Sequence, residues 1–117
     1  MDARCALGRA GETAAAALFR RLGFAILDRN YRCDQGELDL VARRADLVVF
    51  CEVKTRRSDR CGIPSEAVDF DKQMRLRRLA ARWFRERRPG PVNVRFDVVS
   101  VLARGAEMET THLPDAF

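Results

Sequence analysis

The sequence predicts a single α/β domain in which a mixed central β-sheet is flanked by two helices. Three observations support this fold class. The chain has 117 residues, enough for one core and too few for a second lobe. Apolar residues make up 47% of it and charged residues 33%, as is typical of a folded globular protein. Helical and strand-like apolar spacing follow one another in the order α-β-β-β-α-β, with a core over about residues 8–102.

The first helix is predicted over residues 6–22. Its apolar stripe has the spacing i, i+3, i+4, i+7 and consists of Ala15, Leu18, Phe19 and Leu22. Gly23 supplies a stop. Glu12 lies one turn before the stripe and has two interpretations. It is either an acid directed toward the body of the protein or a first-turn glutamate favoured by the helix dipole.

Three strands are predicted next, over 24–31, 37–43 and 47–53, with a turn at 34–36. The second alternates, with Leu38, Leu40 and Ala42 on one face and Glu37, Asp39 and Val41 on the other. The third is continuously apolar, which is typical of a central strand buried on both faces. The second and third strands are expected to form a hairpin around a two-residue loop.

The remaining elements are an exposed loop over 56–64, a helix over 65–88 and a strand over 92–102. The helix is either continuous or divided around 69–71. Its predicted core face consists of Leu76, Leu79, Ala80, Trp83 and Phe84, and its other face is almost wholly arginine. The tail from Arg104 onward is loosely specified by the sequence, and no further strand is predicted in it.

The charge balance favours a polyanionic partner. Lys and Arg number 22 against 17 Asp and Glu, which gives a formal charge of +5 and a pI near 9.6. Nucleic acid and an acidic lipid surface both fit. No apolar run approaches the roughly 18 residues of a membrane span, and no signal peptide is apparent. We therefore expect a cytoplasmic protein with no membrane partner.

The cysteines are expected to be reduced and to hold no structural zinc. They lie too far apart for a CxxC pair, and the chain has one histidine, His112. The four are Cys5, Cys33, Cys51 and Cys61. Cys51 is expected to be a small core residue within the third strand.

The second helix carries the strongest basic pattern. Arg75, Arg78, Arg82 and Arg85 recur at spacings of three, four and three, which forms one ridge able to follow a phosphate backbone. The alternative is a solvated helix face, although such faces normally mix charges of both signs. Aromatic residues are not interleaved with the arginines, so duplex or branched DNA is favoured over single-stranded DNA.

The hairpin is predicted to bring acidic residues together. If residues 45 and 46 form the loop, Asp39 lies opposite Glu52, and Lys54 shares the face of Glu52. Two facing carboxylates in a buried sheet require a cation or a raised pKa, and Mg²⁺ prefers such oxygen ligands. Lys54 would then orient or help to deprotonate a water molecule. The alternative is a surface salt bridge with no further role.

The motifs resemble a known family of nucleases. Gly36-Glu37-Leu38-Asp39-Leu40 followed by Glu52-Val53-Lys54-Thr55-Arg56 resembles the PD-(D/E)xK superfamily, which has the restriction-endonuclease-like fold. Together with Gly11-Glu12, Asn30-Tyr31-Arg32, Ala67-Val68 with Lys72, and Arg95-Phe96-Asp97, the pattern is similar to the YraN-like family. Those small bacterial proteins are predicted endonucleases, distantly related to archaeal Holliday junction resolvases.

The resemblance implies roles for particular residues. Asp39 and Glu52 would bind Mg²⁺ or Mn²⁺, Lys54 would be the catalytic lysine, and Glu12 would approach the metal. Lys72 would either contact the scissile phosphate or cap the charge of Asp69. We also expect roles for further charged residues. Lys72 and Arg56 would join the arginine ridge in binding DNA, while Glu37 is an accessory acid and Asp97 a structural partner for an arginine.

Three functions are therefore open. The first is a metal-dependent DNA endonuclease. The second is a non-catalytic nucleic-acid-binding or scaffold protein that keeps the nuclease fold. The third is a homodimeric junction resolvase, which differs from the first in assembly, because two symmetric cuts need two sites.

Overall fold

The fold is a five-stranded mixed sheet with two helices. The computed structural model describes residues 3–57 and 68–117. The elements are α1 (Ala3–Arg21), β1 (Ala25–Cys33), β2 (Gly36–Arg44), β3 (Leu47–Arg56), α2 (Phe70–Arg87), β4 (Asn93–Arg104) and β5 (Glu107–Leu113). The strands lie in sequence order, so β3 is central. β3 and β4 are parallel and joined through α2, whereas the other neighbours are antiparallel. The predicted α/β class is confirmed.

The two helices cover two separate apolar clusters of the sheet. On the α2 side, Trp83 packs edge-on against Phe50, with ring centroids 5.5 Å apart. On the α1 side, Phe19 packs with Leu40 and Val49. The predicted core faces of both helices are largely confirmed. Leu22 is the exception, because it lies just beyond the end of α1 and is 41% exposed.

α2 begins at Phe70. Asp69 caps the helix by accepting a hydrogen bond from the Lys72 backbone N–H at 2.8 Å, which satisfies a donor at the first turn. Residues 65–67 of the predicted helix and residues 58–64 of the predicted loop lie outside the described residues.

The predicted order of elements lacks a last strand, which is formed by residues that follow Arg104. They form a hairpin in which β5 pairs with β4 from Arg104 opposite Glu107 to Val98 opposite Leu113. Alternate β5 residues are exposed, so its sequence has no apolar run by which to recognise a strand. A buried polar contact secures it instead. Asp97 on β4 is fully buried and accepts bonds from Arg95 at 2.8 Å and from the Asp115 N–H at 3.0 Å.

His112 on β5 completes this contact. Its Nε2 lies 2.7 Å from an Asp97 oxygen, and its ring packs edge-on against Phe19 of α1. The hydrogen bonds to Arg95 and His112 outweigh burial and lower the pKa of Asp97. The prediction that Asp97 is a structural partner for an arginine is confirmed.

Side chains change face partway along β1. Arg29 bonds Thr13 of α1 at 3.1 Å, whereas Tyr31 donates to Glu86 of α2 at 2.6 Å. Residues two apart share a face in a regular strand, so β1 turns over between them. Asn30 lies at that point with a left-handed φ of 55°.

The paired strand β2 changes face at the same level. Leu40 packs on the α1 side, but Leu38 packs on the α2 side, so their predicted common face is wrong. Asp39 lies between them. Its carboxylate is therefore close to both sides of the sheet.

Neither helix in the two described ranges is long and apolar enough to cross a membrane. No disulfide joins the cysteines in those ranges, and Cys51 is buried in the core as expected. Cys61 lies outside the described residues.

Candidate metal and phosphate site

The β2–β3 hairpin sets the register of the acidic residues. Arg44 pairs with Leu47 around a two-residue turn, as predicted, and the ladder continues to Leu40 opposite Cys51. The next step brings Asp39 beside Glu52. Beyond the ladder, a side chain joins the two strands, since the Asp39 carboxylate accepts the Val53 N–H at 2.9 Å.

Glycine 11 allows α1 to approach the same end of β3. A Cβ at Gly11 would lie 1.9 Å from Thr55 Oγ1 and 2.9 Å from Thr55 Cβ, distances that real side chains do not tolerate. The close contact places the next residue, Glu12, beside the hairpin. Of the two interpretations of Glu12, the inward-directed acid is confirmed.

Three carboxylates meet at this point. One oxygen each from Glu12, Glu37 and Asp39 lies within 4.8 Å of the others. These residues come from α1 and from two positions of β2. Glu37, predicted only as an accessory acid, is thus a full member of the group. The sequence indicated this position, because residues 37 and 39 are two apart on β2 and residues two apart in a strand share a face.

The surroundings of Asp39 raise its pKa. Burial, together with the negative charges of Glu52, Glu12 and Glu37, raises its pKa from 3.8 to about 7, although the Val53 N–H opposes the shift. At neutral pH the folded chain thus holds a carboxylate whose surroundings favour its protonated form. A bound cation would reverse that preference.

Glu52 is bound differently. It is 7% exposed, and its Oε1 lies 2.8 Å from Lys72 Nζ and 3.7 Å from Lys54 Nζ. Among the described residues, the metal-ligand geometry therefore groups Glu12 and Asp39 with Glu37, while the third predicted ligand, Glu52, lies next to them and pairs with lysines. Its role as a metal ligand stays a prediction.

The two lysines have opposite pKa shifts. Burial and the neighbouring Lys72 ammonium lower the pKa of Lys54. Burial would also lower the pKa of Lys72, but its hydrogen bond to Glu52 outweighs burial and raises it. Lys54 is therefore the lysine that gives up a proton more readily. The Lys72 side chain does not cap Asp69, since its ammonium group bonds Glu52 and only its backbone bonds Asp69, and its contact with the scissile phosphate stays a prediction.

The site opens into a recess of about 270 Å³ beside α2. Its lining combines acids from the hairpin with bases from the helix, and consists of Gln35, Gly36, Glu37, Asp39, Glu52, Lys72, Arg75 and Leu76. An anionic group entering it would meet Lys72 and Arg75 directly above the carboxylates.

The arginine ridge is divided by the fold. Arg82 bonds Asp34 at 2.6 Å and Glu86 at 3.1 Å, so its charge is already paired. Arg75, Arg78 and Arg85 are exposed and have no ion-pair partner within residues 3–57 and 68–117. Arg56 ends β3, partly buried.

The rest of the outward face of α2 is less basic than the sequence suggested. Phe70 is 71% exposed and Met74 is 39% exposed. The expectation that this face is almost wholly arginine is therefore wrong near the start of α2, where two apolar side chains are exposed.

The donor set fits a hard divalent cation. Closely spaced carboxylate oxygens are the ligands that Mg²⁺ and Mn²⁺ prefer, and burial beside the negative charges of Glu52, Glu12 and Glu37 raises the pKa of Asp39, which a bound cation would offset. Glu12, Glu37 and Asp39 would hold such an ion, with Glu52 adjacent.

The sequence is similar to a widespread set of bacterial proteins. Residues 11–101 match the uncharacterised protein family UPF0102. The chain is 49% identical over 114 residues to a UPF0102 protein of Syntrophotalea carbinolica, which covers 97% of this chain and 93% of the relative. It is 55% identical over 101 residues to one of Frankia alni, covering 86% and 84%. A UPF0102 protein of Streptomyces griseus is 53% identical over 109 residues, covering 91% and 92%.

Proposed function

The chain belongs to the uncharacterised protein family UPF0102, and from this premise we propose that it is a metal-dependent endonuclease that hydrolyses phosphodiester bonds in DNA. Membership agrees with the predicted likeness to the YraN-like family. The wider relationship to the PD-(D/E)xK nucleases is part of the proposal. The observation that carries it is the meeting of three carboxylates within 4.8 Å beside a glutamate bonded to two lysines.

The carboxylates give the site its affinity for a cation. A bound Mg²⁺ or Mn²⁺ supplies Lewis-acid chemistry and lowers the pKa of a coordinated water. Glu12, Glu37 and Asp39 hold the positive charge at the end of the hairpin. The hydrogen bond from the Val53 N–H fixes the orientation of Asp39 and leaves its other oxygen available.

The lysines act on the phosphate and on the proton of the attacking water. Lys72 and Arg75 line the recess above the carboxylates and attract a phosphodiester group. Lys54, whose pKa is lowered by burial and by Lys72, is neutral more often than an ordinary lysine, and only the neutral amine can take a proton from the attacking water. An arginine could not do so, because its pKa stays above about 12.

The exposed arginines of α2 supply contacts farther along the DNA. Within the described ranges, Arg75, Arg78 and Arg85 have no ion-pair partner, and Arg75 lines the recess. Such contacts follow the phosphate backbone without reading sequence. The substrate class is thus duplex or branched DNA recognised by its backbone.

Cleavage of labelled linear, nicked and four-way-junction DNA by the purified protein tests the proposal. We expect product with Mg²⁺ or Mn²⁺ and none with EDTA. Asp39→Asn and Lys54→Arg should each lower the rate at least about a hundredfold, within the range for a lost acid-base or electrostatic contact. Glu107→Gln, on the far strand β5, is the matched control and should cleave normally. Equal rates in all four proteins would refute the site.

A non-catalytic DNA-binding protein is the second candidate. The 2.8 Å ion pair between Lys72 and Glu52 favours this candidate, because the lysine neutralises Glu52 without a metal ion. That protein would bind DNA in a salt-dependent manner, and divalent ions would not stabilise it. Stabilisation by Mg²⁺ that is lost in Asp39→Asn favours the nuclease.

A further inference from the structure

We propose that a second recess, on the α1 side of the carboxylates, binds the nucleoside adjacent to the phosphodiester that is cut. The inference rests on the proposed function and adds to it a subsite for a base and its sugar. The enzyme would then act on DNA in which one nucleotide is displaced from the base stack, as at a nick, branch or unpaired end.

The two recesses share one wall. The second has a volume of about 450 Å³, within the range of small-molecule sites, and is larger than the 270 Å³ recess above Asp39. It is lined by Cys5, Gly8, Arg9, Glu12, Asn30, Arg32 and Glu37. Glu37 lines both recesses, and Glu12 joins the second to the carboxylate group. A DNA strand that crosses Glu37 therefore places neighbouring parts of its backbone in the two recesses.

The charge of the second recess suits a nucleoside. Two arginines and two glutamates line it, so their formal charges cancel. Arg32 lies 3.3 Å from Glu37, which balances that acid locally. A lining with no net charge would give a free phosphate little binding energy. An uncharged base and its sugar could bind there, because the rest of the DNA strand is held at other sites. The adjoining recess, with Lys72 and Arg75, is the one suited to the phosphate.

Asn30 gives the recess a group that can read a base. Its side-chain amide has no hydrogen-bond partner in the described parts of the chain, and it offers both a donor and an acceptor. Asparagine amides pair with base edges in this way. Its left-handed φ of 55° is also a conformation that a β-branched residue would not tolerate, so the backbone presents a small amide at this point.

Gly8 gives the recess its open space. A Cβ built there meets nothing within 4 Å, although Gly8 lies inside α1. Leucine at this position would extend into the recess. Because leucine favours the helix more than glycine does, the replacement should fill the site without unfolding α1.

The experiment uses three variants of the full chain. Gly8→Leu fills the recess. Asn30→Gly removes the amide while keeping a backbone that tolerates positive φ. Ala45→Gly is the matched control, since Ala45 has nearly the same φ, 54°, in a turn away from both recesses. Binding of 2′-deoxyadenosine 3′,5′-bisphosphate is measured by NMR titration of the ¹⁵N-labelled protein with Mg²⁺, and KM and kcat are measured with nicked DNA.

We expect probe-induced shifts at Gly8, Asn30 and Arg32. Probe affinity should fall about tenfold or more in Gly8→Leu and Asn30→Gly, as for a lost base contact, and stay unchanged in Ala45→Gly. KM should rise in the same two variants, with kcat changed less. Normal DNA cleavage with unchanged KM and probe affinity in both would overturn the subsite and leave the nuclease standing. Probe binding that Gly8→Leu abolishes, in a protein that cuts no DNA, would support the nucleoside site and refute the endonuclease.

Discussion

Replacing Asp39 by asparagine should stabilise the metal-free protein at neutral and alkaline pH. In the folded chain Asp39 has a pKa of about 7 because of burial and the surrounding negative charges, against an ordinary value of 3.8. Asparagine removes the charge but keeps an oxygen that can accept the Val53 N–H. The ionised Asp39 side chain should thus destabilise the metal-free wild-type protein.

The sign and size follow from proton linkage. A carboxyl whose pKa is raised on folding contributes stability below its unfolded pKa, and that contribution is lost as the pH rises through the folded pKa. The window is therefore pH 3.8 to about 7. The difference between the two pKa values corresponds to about 4 kcal/mol at 1.36 kcal/mol per pKa unit. Water that reaches the half-buried side chain screens part of this, so we expect about 2–4 kcal/mol.

Urea unfolding in EDTA measures the effect, followed by the fluorescence of Trp83, the one tryptophan, which is 1% exposed. The advantage of Asp39→Asn over the wild type should be about 1 kcal/mol at pH 5 and should grow by about 2 kcal/mol by pH 8. Mg²⁺ should then stabilise the wild type more than the variant. Glu107→Gln controls for the general loss of an acid. A variant that is less stable than the wild type at both pH values would refute the reasoning.

Three further predictions concern packing, burial and charge. Gly11→Ala should destabilise the protein by about 2 kcal/mol because its Cβ collides with β3, whereas Gly8→Ala in the same helix should stabilise it by up to about 1 kcal/mol; equal urea midpoints would contradict the close contact. Asp97→Ala should cost about 3 kcal/mol by removing the buried carboxylate that accepts bonds from Arg95 and from the Asp115 N–H, with faster amide exchange in β5; an unchanged midpoint would contradict this. Arg78→Gln should lower the slope of log K against log salt for DNA binding by about 0.9, and Arg82→Gln, whose arginine is already paired, by less; equal changes would show that both contact phosphate.

Local patterns in the sequence predicted most of the fold. The turn of two residues at 45–46 fixes the β2–β3 register, because a hairpin loop of known length leaves one pairing that buries the apolar face. The core face of α2 was readable from its 3.6-residue spacing. β5 was not, because its alternation includes few apolar residues and its contact with Asp97 joins residues far apart in the sequence.

The candidate site was predicted less completely. Asp39 and Glu12 come together as expected, since strand pairing and the helical stripe both point them to one place. Alternation on β2 places Glu37 on the face of Asp39, but its membership of the carboxylate group also depends on how closely α1 brings Glu12 to it. The ion pair of Lys72 with Glu52 likewise depends on how α2 lies across the sheet.

Anomalous diffraction from crystals soaked in MnCl₂ tests the metal site most directly. We predict a manganese peak at the end of the β2–β3 hairpin, with an Asp39 oxygen within about 2.5 Å of it, the reach of hard-cation coordination. The peak should be absent from crystals of Asp39→Asn. A wild-type crystal with manganese bound elsewhere on the protein, and none between Asp39 and Glu12, would contradict the account.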